Sequence, residues 1–449
     1  MQQNMTEGKV LPLILKFSLP LFIGNLFQQL YNMVDTVIVG RYVGAGALAA
    51  VGSTGTIMFL LIGFSFGLTS GFAILTSQRF GAKDSDGVRS SVANGIILTA
   101  IISLVLTVLG TMSIPHLLKW MNTPADIMED ARSYISIISM GLAANLFYNI
   151  LSAFLRAVGN SKAPLFFLVF SAVLNVFLDI LFIVTFHMGV AGAAFATVLS
   201  QAISAIFCII YIMKSVSMLM PKRNEWRLTP QNTAHQLKLG IPMALQFGIT
   251  ASGTMIMQAA INIFGSVAVA AFTAASKVQI LLTQGMMAVG QTMATYAGQN
   301  YGKMDIGRIK EGVKIADIIL IAYSILAAAL LALLLPQMME LFFSKDADVS
   351  AMMPWAKTYS YISMAFFIPL SFIFVYRNTI EGCSYAMLAL LMGVIEFVSR
   401  CLTAVIAIHL NSYVLAVSCD PAAWLFGGVF GLFAFKWVIK DLNKKLAQQ

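Results

Sequence analysis

Residues Leu19–Gly44 read LPLFIGNLFQQLYNMVDTVIVGRYVG, an apolar run with a single carboxylate, Asp35, well inside it. A membrane-crossing helix needs roughly 20 mainly apolar residues, and this run supplies them. A charged side chain in hydrocarbon costs a few kcal/mol even on the mildest scales, so Asp35 requires a purpose. Asn25, Gln28, Gln29 and Asn32 precede it at helical spacing and form a polar stripe with it. That stripe cannot meet lipid. It lines a cavity or packs on other helices.

The rest of the chain is built from similar runs. Of its 449 residues 59% are hydrophobic and only 10% charged, and the mean hydropathy is +0.84. Too little charge remains to cover a soluble protein of this length. The pattern predicts an all-α membrane protein with twelve transmembrane helices, at 11–40, 45–77, 89–116, 127–155, 162–186, 189–214, 236–263, 266–299, 308–342, 349–378, 384–409 and 414–438. The loops are short and leave no aqueous domain. Polar Met1–Lys9 leads into an apolar stretch too long for a removable signal peptide, so none is expected.

A net charge of +9 suggests nucleic acid until the charges are placed. Most Lys and Arg fall at the termini and in alternate loops: Arg79, Lys83 and Arg89, then Lys222, Arg223 and Arg227, then Lys303, Arg308 and Lys310, then Arg377, then Lys440, Lys444 and Lys445. The intervening loops hold few. This asymmetry puts both termini in the cytoplasm of a prokaryotic inner membrane, requires an even helix count and leaves no role for nucleic acid. Cys208, Cys383, Cys401 and Cys419 show no paired spacing, which predicts neither disulfides nor a metal site. No nucleophile–base arrangement marks an enzyme. No cofactor is expected beyond a coupling ion.

The halves are related. LKFSLP at Leu15–Pro20 matches LKLGIP at Leu237–Pro242, and Gln78, Gly81 and Asp84 match Gln299, Gly302 and Asp305. The polar run within Met218–His235 separates them. The predicted domains are therefore a six-helix lobe at 1–217, a cytoplasmic loop at 218–235 and a second six-helix lobe at 236–449. Six is even, so both lobes enter from the same side as a parallel repeat. Two pseudo-symmetric six-helix bundles around a central cleft follow, each self-contained enough for a functional monomer.

Chemistry concentrates in the first lobe. Ser171, Asn175 and Asp179 recur every four residues, and Thr197, Ser200, Gln201 and Ser204 occupy the next helix. Asp35 and Asp179 have no basic residue deep enough to neutralise them. Two such carboxylates among amide and hydroxyl oxygens suit a hard monovalent cation: Na+ would take oxygens from Asp35, Asn175, Asp179 and Thr197, and the same acids could hold a proton. The plain structural alternative is a fixed hydrogen-bonded network. Amides at Gln28, Asn32, Asn149, Gln258 and Gln284 are candidates for a substrate cleft. Pro20 removes a helical hydrogen bond and is read as a kink that could hinge.

The second lobe differs. The repeat sets Met257 opposite Asp35, and its deep charges are Lys277, Glu396 and Arg400. Glu396 and Arg400 are four apart and are expected to pair with each other on one face. The 26 methionines and 32 phenylalanines mostly pack helices, but they also suit a pocket for apolar cations of varied shape.

At this point the sequence resembles the multidrug and toxic compound extrusion (MATE) family of cation antiporters. The resemblance rests on LPLFIGNLFQQLYNMVDTVIVGRYVG, on LNVFLDILFI at Leu174–Ile183 and on FLRAVGNSKAP at Phe154–Pro164. In the DinF-like branch it implies a first-lobe cation site at Asp35, Asn175, Asp179 and Thr197, a tyrosine matching Tyr134 and a kinking proline matching Pro20. The helix-7 acid of other branches is absent, with Met257 and Gln258 in that region. The resemblance implies efflux of cationic drugs or metabolites from the bilayer or cytoplasm, coupled to Na+ or H+. A lipid-linked precursor flippase of the same superfamily fold is the alternative.

Overall fold

The computed structural model describes residues 3–121, 123–342 and 349–448. Among the described residues there are helices and no strands. In chain order they are α1 (Val10–Tyr42), α2 (Ala45–Ser53), α3 (Gly55–Gly81), α4 (Ser85–Trp120), α5 (Met128–Met140), α6 (Leu142–Ala157), α7 (Lys162–Asp179) and α8 (Gly189–Ser215). Then come α9 (Pro230–Asn262), α10 (Ser266–Gly302), α11 (Ile306–Phe342), α12 (Val349–Ala365), α13 (Phe367–Gly382), α14 (Ala386–His409), α15 (Tyr413–Val417) and α16 (Cys419–Ala447). Ten helical stretches are long and apolar enough to cross a bilayer, and two bent pairs bring the spans to twelve. The pairs are α5 with α6, bent by 46°, and α12 with α13, bent by 50°.

Local chemistry sets the helix ends. Asp84 caps α4 by accepting from the Gly87 amide at 2.8 Å, and Asp305 caps α11 by accepting from Arg308 at 3.0 Å. Pro230 opens α9 at a position where its missing N–H costs nothing. At the α5–α6 bend a Cβ on Gly141 would lie 2.2 Å from Val198, so the joint closes on α8 only with glycine. Two elements among the described residues depart from an α-helix: Ile180–Thr185, directly after α7, is a π-helix, and Ser217–Leu219, after α8, is a single 3-10 turn.

The described residues form two compact units. Unit 1 is Met1–Asn4 with Ile23–Phe247, and unit 2 is Met5–Phe22 with Gly248–Gln449. These bounds differ from the sequence halves at 1–217 and 236–449, because each half lends the start of its first helix to the other unit. Packing explains the exchange. Gly71 of α3 and Gly240 of α9 meet backbone to backbone, where a Cβ on Gly71 would lie 2.5 Å from the Gly240 Cα. Beside them the Gln236 amide receives from Asn94 at 2.8 Å and donates to the Ser91 and Phe72 carbonyls. In unit 2, Gln299 accepts from the Met5 amide at 2.8 Å, and Asn300 and Arg308 both donate to the Met5 carbonyl.

The expected inter-lobe loop is also shorter, since α9 takes its last residues. What remains is strapped to unit 1 by Glu225, which accepts from Arg89 at 3.0 Å and from the Lys222 amide at 2.6 Å. Partial desolvation opposes the Glu225 charge. The Lys222 amide and the Arg89 guanidinium outweigh it and hold the carboxyl below the ordinary glutamate value.

Both units pair their helices alike. In unit 1, α3 packs on α4 and α6, α6 on α8, and α7 on α8; in unit 2, α10 packs on α11 and α13, α13 on α16, and α14 on α16. Left-handed residues mark the same turns twice: Lys83 and Met304, Gly159 and Ser384, His187 and Asn411.

Candidate cation site

Four helices of unit 1 build the site. α1 supplies Tyr31 and Asp35, α5 supplies Tyr134, α7 supplies Asn175 and Asp179, and α8 supplies Thr197. Asn175, Asp179, Thr197 and Tyr134 are buried, while Asp35 is half-buried. The Asp35 and Asp179 carboxylates are neighbours. Tyr31 and Tyr134 stand within electrostatic range of both. The Thr197 hydroxyl is 3.4 Å from the Tyr31 hydroxyl and 3.4 Å from the Asn175 amide nitrogen, both long for hydrogen bonds.

What these residues lack matters more. Asp35 Oδ1, both Asp179 oxygens and Asn175 Oδ1 are buried with no hydrogen-bond partner. Buried acceptors without partners are costly, and carboxylates most of all. Neither acid forms an ion pair with any described basic residue. Orphaned oxygens from two acids and an amide, with a hydroxyl beside them, fit a hard cation such as Na+ or a proton. The residues expected from the sequence, Asp35, Tyr134, Asn175, Asp179 and Thr197, thus come together. Tyr31 was not expected, although it lies four residues before Asp35 and so shares its face.

The π-helix begins immediately after Asp179. Its wider turns appear in the Phe186 amide, which donates to Leu181, and the Met188 amide, which donates to Phe182. Gly159 and His187 are 28 residues apart, whereas their counterparts Ser384 and Asn411 are 27 apart, so unit 1 holds one extra residue. The π-helix is where it is absorbed.

Other sequence candidates fare differently. Gln28 and Asn32 are exposed on α1, and Asn149 donates to Asn145 at 3.0 Å. In unit 2, Gln258 donates to Asn262 at 2.8 Å, and Gln284 is buried and donates to its own helix at Ile280. Pro20 lies within α1, three residues before that helix passes from unit 2 to unit 1.

The expected Glu396–Arg400 pair is corrected. Glu396 pairs with Arg377 of α13, and Arg400 pairs with Asp420 of α16, Nε to Oδ1 at 2.6 Å. Side chains four apart on one helix do face the same way, but here closer partners on neighbouring helices take each charge. Arg377, counted with the loop charges although within the helix expected at 349–378, is inside α13. Lys277 stands outside this cluster, exposed on α10 and without an ion-pair partner among the described residues.

A multi-pass helical membrane protein with a buried, uncompensated acidic site in one unit is the class these features define. The chain belongs to the MatE family, whose model matches it twice, at residues 20–181 and 242–406. It is 34% identical over 301 residues to "Probable multidrug resistance protein YpnP" of Bacillus subtilis, covering 67% of each chain. It is 22% identical to "Multidrug export protein MepA" of Staphylococcus saprophyticus, over 94% of this chain and 89% of that one. A solved MOP superfamily transporter from Pyrococcus furiosus superposes with a TM-score of 0.91 over 98% of both chains, at 21% identity. At that identity the likeness speaks for the fold alone.

Proposed function

We propose that this chain is an efflux antiporter, not an enzyme, exporting organic cations and other small apolar compounds against an inward flow of Na+ or H+. The names of its relatives support multidrug export. The observation that carries the coupling is the pair Asp35 and Asp179, whose orphaned oxygens have no built-in counter-charge. An ionised, unpaired couple is costly to enclose, so the protein would change conformation readily only with a cation or proton bound. Asn175 and Thr197 would complete the shell, Tyr134 would close it, and Pro20 would let α1 bend when the site fills. Gln28, Asn32, Asn149, Gln258 and Gln284 remain the candidate substrate contacts. The reading takes both termini as cytoplasmic and the monomer as the working unit. The flippase alternative has nothing to favour it: the first-lobe acids suit a cation better than a pyrophosphate.

The test is drug efflux from proteoliposomes with sodium and proton gradients imposed separately. One gradient alone should drive export, and Asp35→Asn and Asp179→Asn should each lower that driven export by at least about 10-fold, a loss of about 1.4 kcal/mol of coupling. Undiminished export from both variants would refute the site.

A further inference from the structure

We propose that Arg400 is a built-in counter-cation, occupying in unit 2 the place that unit 1 keeps open for an exchangeable one. This rests on the cation-site reading of unit 1. The argument starts from register. The match of LKFSLP at Leu15–Pro20 with LKLGIP at Leu237–Pro242 sets equivalent residues 222 apart along α1 and α9, and the two stretches matched by the family model, 20–181 and 242–406, begin 222 apart and end 225 apart. The left-handed turns at Gly159 and Ser384 give the same 225.

That register carries the residues of α1 and α7 onto unit 2. Ser171 falls on Glu396, Asn175 on Arg400 and Asp179 on Ala404, while Tyr31 falls on Gly253 and Asp35 on Met257. Both acids and the amide of the site have gone, and an arginine stands where that amide stood. The contacts agree with the alignment: a Cβ on Gly253 would lie 2.9 Å from the Arg400 side chain, so losing the Tyr31 ring makes room for the guanidinium. Gly427 does the same for Glu396, with 2.8 Å to its Cγ.

The charges balance. Arg377, Glu396, Arg400 and Asp420 sum to zero, and Glu396 and Arg400 are buried at 5% and 4% exposure. The other titratable groups facing the cluster are Cys419 beside Arg400 and Tyr359 of α12 beside Asp420. Removing Arg400 alone leaves one net negative charge, which a monovalent cation or a proton would neutralise. Unit 2 would then gain a cation dependence at this cluster. Any buried pair stripped of one partner would respond to acid, because a proton neutralises the charge left behind; a response to Na+ at constant pH is what marks a place that a metal cation can fill.

The experiment measures Tm of the purified full chain, with NaCl exchanged for choline chloride at constant ionic strength, at pH 8 and pH 5. An Asp35→Asn/Asp179→Asn background removes the response of unit 1. In that background Arg400→Gln is expected to lower Tm in choline at pH 8 and to regain about 3 °C or more on adding Na+ or acid. The neutral variant Arg400→Gln/Asp420→Asn is expected to fold and to show neither response. A loss in Arg400→Gln that is equal in NaCl and choline chloride at pH 8 overturns the proposal, because rescue by acid alone is what any orphaned carboxylate shows. If Arg400→Gln yields no folded protein but the neutral variant does, charge balance is what failed and the proposal stands. If neither folds, shape is what mattered and it falls. Absence of any sodium or acid response in the parent chain would instead count against the unit 1 reading, leaving the Arg400 comparison to be read separately.

Discussion

A carboxylate in hydrocarbon needs a counter-charge, and the two units meet that need differently. Arg377 and Asp420 serve Glu396 and Arg400, whereas Asp35 and Asp179 have no basic partner among the described residues. Tyr31 is the neighbour most open to test. Its hydroxyl lies 3.4 Å from Thr197, long for a hydrogen bond, and a neutral bond that shortens when the site fills is worth about 0.5–1.5 kcal/mol. Tyr31→Phe should therefore raise the cation concentration needed for half-maximal efflux by about 2- to 10-fold, leaving Tm nearly unchanged. No change in cation requirement would remove Tyr31 from the site. Polarity made Asp35, Asn175, Asp179 and Thr197 legible, because amides and acids are rare in apolar helices. Tyr31 was masked by its ring, which suits lipid and core as well as a site. Arg377 lies within the helix expected at 349–378 but was counted with the loop charges, because a cation near a helix end reads as interfacial; its pairing with Glu396 shows otherwise.

At the scale of elements, the π-helix after Asp179 decides how two parts of the site face each other. Residues turn about 100° each in an α-helix, so one added residue reorients everything beyond it. Unit 2 shows the regular spacing and has no acid there; unit 1 shows the bulge and does. Deleting Leu181 should restore a regular helix, returning Gly159 and His187 to the spacing of Ser384 and Asn411. We expect a folded, monodisperse protein whose cation-driven efflux falls at least about 10-fold, because Asp179 is turned away from Thr197. Full coupling in the deletion variant would show the bulge to be incidental. Hydrophobic periodicity cannot reveal such a bulge, since an apolar π-turn and an apolar α-turn have the same composition. The helix bends at Gly141 and Phe366 escaped for the same reason, although the twelve spans themselves were plain.

Across the whole molecule, the repeat that the sequence displays is not the unit that folds. Each half gives up the start of its first helix: Met5–Phe22 belongs to unit 2, and the beginning of α9 up to Phe247 belongs to unit 1. Sequence identity at LKFSLP and LKLGIP marks these segments as equivalent but is silent on which unit holds them. Packing decides that, through the Gly71–Gly240 approach in one unit and the Gln299–Met5 bond in the other. The consequence is testable by cutting the chain in the loop between Lys222 and Arg227. A fragment ending there keeps α3 with no α9 backbone to cover Gly67 and Gly71, and leaves its own first turns without Gln299 and Asn300. The complementary fragment has α9 but not the α3 surface it covers. Expressed alone, each fragment should be degraded or aggregate, since a bare glycine groove and unpaired amides in a bilayer have no substitute partner. Expressed together, they should co-purify and recover efflux, because each restores the missing helix start of the other. Stable, separately purified halves would mean that the lobes are self-contained after all and that the exchange of helix starts contributes little to folding.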